Sequence, residues 1–195
     1  MKKIAITGGV ASGKSTVCRI FRELGAFVVN ADAIAHALLD SDTDLGQQII
    51  RQFGSDILIE AKINRRMLAE KVFKDPQQLE KLEKLLHPAV LRTIEELYLK
   101  QCDSGKYTSF VVEIPLLFEI RGESFYDWVI TVLADDAIAR RRFQQAGFTL
   151  EEYDRRMKRQ LYPGIKAKRA HFTIENNGTI DDLKNQVVAL NKILT

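Results

Sequence analysis

Apolar residues along this chain follow two spacings, one of strands and one of helices. Residues 3–7 (Lys-Ile-Ala-Ile-Thr) read as a short buried strand and residues 8–13 as a loop. Residues 14–24 follow as a helix, with Val17, Ile20, Phe21 and Leu24 at helical spacing and Gly25 as its stop. Residues 26–30 predict a second strand, so the chain opens strand–loop–helix–strand, the start of a parallel α/β sheet. From residue 31 to about 105 no convincing strand appears. Asp75-Pro76-Gln77-Gln78 supplies an N-cap Asp, Pro at the first helical position and Gln at the third. That helix runs through Leu79, Leu82, Leu85 and Leu86 to His87-Pro88, and a second runs from Pro88 to about Gln101. Residues 110–114 and 128–133 are β-branched-rich runs in which the sheet resumes. Thr149-Leu150-Glu151-Glu152 is a capping box. Residues 171–175 predict the last strand, Asn176-Asn177-Gly178 a turn, and residues 179–194 a closing amphipathic helix. The expected organisation is one sheet core (1–31, 105–138 and 170–195), a helical insertion (32–104) and a further excursion (139–169).

Composition narrows the class. The chain has 195 residues, 46% hydrophobic and 28% charged, with 11 Gly and 4 Pro, an ordinary globular mixture. No apolar run approaches the ~20 residues that span a bilayer, and the N-terminus reads as a strand rather than a signal peptide. Cys18 and Cys102 make neither a disulfide framework nor a metal quartet, so a reducing, cytoplasmic location is expected. Charge is uneven: residues 139–169 hold ten Lys/Arg against three acids, a net of +7, and the rest of the chain nets −4. That excursion invites an anionic partner.

Gly8-Gly9-Val10-Ala11-Ser12-Gly13-Lys14-Ser15 matches G-x-x-x-x-G-K-[ST], between a predicted strand and a predicted helix as its mechanism demands. The glycines let successive backbone N–H groups turn toward phosphate oxygens, and the helix N-terminus adds partial positive charge. Lys14 would bridge the β- and γ-phosphates, and the Ser15 hydroxyl would ligate Mg²⁺. The expected fold is therefore that of a P-loop NTPase.

The loop alone does not say how the nucleotide is used. Asp32 follows the carboxyl end of the second strand, where open α/β sheets place ligand groups. It reads equally as a general base for an attacking hydroxyl or as the N-cap of the next helix. The basic excursion suits a closing lid, with Arg140, Arg141 and Arg142 ahead of the lid helix and Arg155, Arg156, Lys158 and Arg159 on it. It reads alternatively as a solvated face, or one that touches RNA. No N-K-x-D guanine-reading motif is present, since Asn191-Lys192-Ile193-Leu194 breaks it at the last position. The balance favours a small-molecule kinase.

The chain resembles the dephospho-coenzyme A kinase family nearly end to end. The residues that carry the resemblance begin with Thr7 to Thr16 (TGGVASGKST) and Ala31-Asp32. Within the insertion they are Asn64-Arg65-Arg66-Met67-Leu68, Val72-Phe73 and Leu86-His87-Pro88. Later come Ile114-Pro115-Leu116-Leu117-Phe118-Glu119, Arg156-Met157-Lys158-Arg159-Gln160 and Ile174-Glu175-Asn176-Asn177-Gly178. The resemblance implies ATP-dependent phosphorylation of the ribose 3′-hydroxyl of dephospho-coenzyme A, the last step of coenzyme A synthesis. It implies a nucleoside-monophosphate-kinase-like core, a helical substrate domain and a lid. By it Asp32 is the catalytic base, with Lys14 and Arg141 in transfer. Gly9, Ala11, Ser12, Gly13, Lys14, Ser15 and Thr16 hold ATP, Asn176 and Gly178 lie on its adenine side, and Arg65 and His87 contact substrate.

Three positions depart from the family pattern: Asn30 where Asp is usual, Gln145 where a second lid arginine is expected, and His171 where the family has Asp. Gln145 leaves one cation fewer unless Arg140 or Arg142 substitutes. Leu116, Leu117 and Phe118 follow a strand end and read either as a surface for the pantetheine arm or as core. Glu113 reads as a Walker-B-like acid holding a metal-bound water or as half of a strand-end salt bridge. The rival enzyme reading is a P-loop kinase for a nucleoside monophosphate or a sugar. The rival from another class is a nucleotide-dependent RNA-binding module. The favoured reading has no nucleic-acid or membrane partner and leaves the oligomeric state open, with a monomer as default.

Overall fold

A parallel sheet whose strands lie in the spatial order 27–30, 109–113, 2–8, 128–133 and 172–175 organises the first and last parts of the chain. The computed structural model describes residues 1–194. In chain order the elements are β1 (Lys2–Gly8), α1 (Lys14–Glu23), β2 (Phe27–Asn30), α2 (Ala31–Leu38) and α3 (Asp44–Phe53). Next come β3 (Leu58–Ile59), β4 (Lys62–Ile63), α4 (Arg65–Val72) and α5 (Pro76–Ser104). Then follow β5 (Ser109–Glu113), β6 (Trp128–Leu133), α6 (Asp136–Gln145), α7 (Leu150–Met157), α8 (Pro163–Arg169), β7 (Phe172–Glu175) and α9 (Ile180–Leu194).

Every neighbouring pair in the five-stranded sheet is parallel, with Ile6 opposite Glu113 on one side of β1 and Ile130 on the other. β1 and β5 are covered on both faces, which is why their middles, Ile4-Ala5-Ile6 and Phe110-Val111-Val112, are unbroken apolar runs rather than alternating ones. Helices α1 and α9 pack together over one core, built from Ile4, Ile6, Val17, Phe21, Ile130, Leu183 and Val187. The chain divides into two compact units, Met1–Asn30 with the residues from Lys100 onward, and Ala31–Leu99. The second unit has its own core, in which Leu45, Ile49, Phe53, Ile57, Leu68 and Val72 meet Leu79, Leu82, Leu85, Leu86 and Ala89 of α5.

Two sequence expectations differ from this structure. The insertion, read as strandless, contains the antiparallel hairpin β3–β4, pairing Leu58 with Ile63 and Ile59 with Lys62. Two-residue strands leave no alternation to read, and the turn is made by Glu60 and Ala61 at φ 47 and 62 rather than by Asn-Gly. The two helices expected on either side of His87-Pro88 are one helix, α5, with Pro88 inside it. Proline removes one helical hydrogen bond and crowds the preceding turn. Leucines before it and Ala89 after it bury into the same cluster and hold the helix through that defect. Among the described residues no helix is long and apolar enough to cross a membrane.

Candidate active site

The loop that leaves β1 can be built only with glycine at two points. Gly8 has φ 145, and a Cβ there would lie 2.2 Å from the Val132 carbonyl oxygen. Gly13 has φ 99, and its Cβ would lie 2.0 Å from Asn176 Nδ2. Between them Ala11 is held at φ 52, a conformation L-residues adopt at a cost. The Ser12 N–H closes the turn onto the Gly9 carbonyl at 3.4 Å, and the Thr16 and Val17 N–H groups donate to the Gly13 carbonyl. Among the described residues, the N–H groups of Ala11, Gly13 and Ser15 donate to no protein acceptor, so donors stand ready for an anion. Lys14 is buried and arches over the loop, its Nζ donating to the Gly9 carbonyl at 2.7 Å and the Gly8 carbonyl at 3.3 Å.

Sheet register sets the next contact. Asn30 at the end of β2 lies opposite Glu113 at the end of β5. Glu113 accepts from the Ser15 hydroxyl at 2.8 Å and from Asn30 Nδ2 at 3.1 Å, so its partners are neutral groups of the site. A hydroxyl and a carboxylate in contact offer the all-oxygen donor set that a hard divalent cation prefers, and Mg²⁺ fits them.

The basic excursion sorts its arginines by partner. Arg140 is tied to Asp136 at 2.7 Å and Asp154 at 2.5 Å and lies over the Tyr153 ring. Arg142 donates from Nη1 to the Asn176 carbonyl at 3.0 Å. Arg156 covers the Phe143 and Phe148 rings. Arg141 alone of the consecutive three is exposed, with no hydrogen bond or ion pair among the described residues. Neither Arg140 nor Arg142 is therefore free to replace the cation missing at Gln145. Helices α6 and α7 join through Phe143 and Tyr153, and the same cluster includes Val10 of the loop. Burial and a hydrogen bond to Asp136 push the Tyr153 phenol up to about 12. A cleft of about 550 Å³ opens beside the loop, bounded by Gly9, Ser12, Asp135, Tyr153, Tyr162 and Asn177 among others.

Of the three apolar residues expected to meet a pantetheine arm, Leu117 and Phe118 are buried at 0% and 2% exposure, and Leu116 alone is exposed. The correction has a physical cause. The turn after β5 folds Leu117 and Phe118 inward, and the Arg169 guanidinium caps the Phe118 ring at 4.6 Å. Sequence reasoning missed the group that pins this turn. Lys166 is fully buried, donating to the Pro115 carbonyl at 2.6 Å and paired with Glu119 at 2.8 Å. Burial lowers its pKa against the opposing pull of Glu119. Pro115 also accepts from the Thr7 hydroxyl, and Glu119 also accepts from the Leu161 N–H. Glu119 lies within a family motif, but nothing in the sequence marks Lys166 among nine other basic residues.

In the insertion, α2 begins at Ala31, so Asp32 lies inside its first turn and is not its N-cap. Asp32 is exposed. Arg65 opens α4, where Asn64 caps by accepting from the Arg66 and Met67 N–H groups. Two arginines and no acid in that first turn oppose the helix dipole, a placement that favours an anion nearby. His87 is half-buried in mid-helix, so the junction expected at that position is absent. Thr16 is half-buried in the first turn of α1, and Gly178 is exposed beside the Asp182 carboxylate that caps α9.

Comparison with known proteins agrees over almost the whole chain. The model of the CoaE family, dephospho-CoA kinase, matches residues 2–182. The dephospho-CoA kinase of Protochlamydia amoebophila is 45% identical over 96% of this chain and 93% of its own, and that of Chlamydia muridarum 41% over 95% and 92%. The structure of TT1252 from Thermus thermophilus superposes with a TM-score of 0.84 at 33% identity, covering 98% of this chain and 97% of its own. The dephospho-CoA kinase of Campylobacter jejuni superposes at 0.72 and 30% identity, covering 98% and 96%. Shikimate kinase from Acinetobacter baumannii, at 0.54 and 15%, shares the fold alone. A match that runs from the first strand into the closing helix leaves one assignment: this chain belongs to the dephospho-CoA kinase family.

Proposed function

We propose that this chain transfers the γ-phosphoryl group of ATP to the ribose 3′-hydroxyl of dephospho-CoA, giving CoA and ADP, the last step of coenzyme A synthesis. The observation that carries the reading is the Ser15–Glu113 contact at the mouth of a loop with uncommitted N–H donors, in a chain of this family. In the proposed reaction the loop amides and Lys14 grip the triphosphate, exchanging the Gly8 and Gly9 carbonyls for phosphate oxygens as partners of Nζ. Ser15 would hold Mg²⁺, with Glu113 as the outer partner that orients its hydroxyl, and the ion would supply screening of charge on the β- and γ-phosphates. Asp32 accepts the proton of the attacking 3′-hydroxyl as that oxygen bonds to phosphorus and the bond to the ADP oxygen breaks. Arg141, with no partner to leave among the described residues, neutralises charge on the group in flight.

The unit Ala31–Leu99 is the proposed acceptor domain, with Arg65 and His87 on the substrate side. Residues 139–169 are the proposed lid, within which α8 packs on β1 and β6. The test offers the purified protein dephospho-CoA, AMP, CMP, UMP and gluconate, each with ATP and Mg²⁺. Rapid ADP formation with dephospho-CoA alone is expected. Equal turnover of a nucleoside monophosphate or gluconate would move the assignment to another acceptor.

A further inference from the structure

The position of Asn176 leaves its amide facing the phosphate loop. The residue is buried at 7% exposure, and its main chain is fixed by an N–H bond to the Leu133 carbonyl at 2.8 Å. Its Nδ2 donates to the Ser12 carbonyl at 2.8 Å. Its own carbonyl and its Oδ1 face Arg142, at 3.0 Å from Nη1 and 3.4 Å from Nη2. A carbonyl at one end and a guanidinium at the other permit one orientation of the amide, since only nitrogen can donate and only oxygen can accept. The approach is so close that a Cβ on Gly13 would occupy it.

The consequence lies in the peptide plane. The Ser12 C=O and the Gly13 N–H belong to one planar trans unit and point in opposite directions. Holding that carbonyl toward Asn176 therefore turns the Gly13 N–H away from it, and this N–H has no protein acceptor among the described residues. We infer that Asn176 is a positioning residue for the triphosphate, not a reader of adenine. It aims the Gly13 N–H by gripping the Ser12 carbonyl, and Arg142 holds Asn176 in that grip. The inference rests on the reading that the loop binds ATP and specifies which part of the nucleotide depends on this asparagine.

Calorimetric titration with MgATP, MgGTP and magnesium tripolyphosphate separates the roles, because the last ligand has no base. Asn176→Ala removes the donor, while Asn176→Asp keeps the shape, cannot donate to Ser12 and can still meet Arg142. Both variants are expected to lose about tenfold in affinity for all three ligands alike, the equivalent of one buried hydrogen bond. The ATP-to-GTP ratio stays at its wild-type value. Arg142→Met, which leaves Asn176 in place, gives a smaller loss equal across the three. Loss of ATP affinity with tripolyphosphate binding unchanged would overturn the inference in favour of base reading. Three unchanged affinities in both Asn176 variants, or in Arg142→Met, would overturn it too. A wild-type protein that binds none of the three removes the ATP reading itself, an outcome no variant effect can imitate.

Discussion

Fully buried Lys166 and half-buried Glu119 form an ion pair, 2.8 Å from Nζ to Oε1, that ties α8 to the turn after β5. The turn begins two residues after Glu113, so the pair supports the strand end on which the site is built. Glu119 is left without its cation in Lys166→Met, and that variant should lose about 3–5 kcal/mol, the usual cost of breaking a buried pair from one side. Adding Glu119→Gln should recover part of the loss. Denaturant unfolding of the two single variants and the double variant tests this, and strictly additive losses would contradict the coupling.

Ser15 and Glu113 share one short hydrogen bond, and Glu113→Gln keeps its length while removing the charge. The half-saturating Mg²⁺ concentration for turnover should rise about 10–100-fold, as when an outer partner of a metal ligand is lost. Steady-state rates against Mg²⁺ give the answer. An unchanged requirement would place the ion elsewhere.

Asp32→Asn should lower kcat by about 10²–10⁴-fold, the general-base contribution, while MgATP binding persists. Calorimetry and turnover measured on one preparation separate the two effects. Normal turnover would remove Asp32 from the chemistry.

Arg140 and Arg141 are neighbours with opposite assignments. Arg141→Ala should leave the melting temperature within a degree or so of wild type and cut kcat by about 10²–10³-fold, as for a lost transition-state donor. Arg140→Ala breaks two ion pairs and the contact over Tyr153, so its melting temperature should fall. Thermal melts and kcat for the pair should therefore move in opposite ways.

Tyr153 donates to Asp136 at 3.0 Å, and burial with this bond holds its phenol at about 12, above the ordinary 10.0. The folded state binds this proton more tightly than the unfolded state. The associated stability is complete below about pH 10 and is lost as pH rises toward 12. Ultraviolet titration should show a phenol component ionising near pH 12, and Tyr153→Phe should remove its contribution to that late step.

The local elements were legible because their signals are local. A glycine loop between an apolar strand and an amphipathic helix is self-announcing, and Thr149 with Glu152 forms the expected capping box, each side chain meeting the other's backbone. Short-range grammar failed where burial outweighed it. Pro88 did not end a helix whose leucines before it share one core with Ala89 after it, and Glu60-Ala61 turned a hairpin without a turn signature.

Chain order alone was enough for the phosphate loop, the strand that precedes it, the parallel sheet and the family, since each depends on residues adjacent in the chain or in a fixed order. Folding in three dimensions settled which of three consecutive arginines lacks a partner among the described residues, that Leu117 and Phe118 are core, and that Lys166 lies buried on Glu119. Those outcomes turn on partners distant in the chain, such as Asp154 for Arg140, Asn176 for Arg142 and Glu119 for Lys166. Hydrogen bonding and desolvation act through space, and the spacing of residues along a chain carries no record of them.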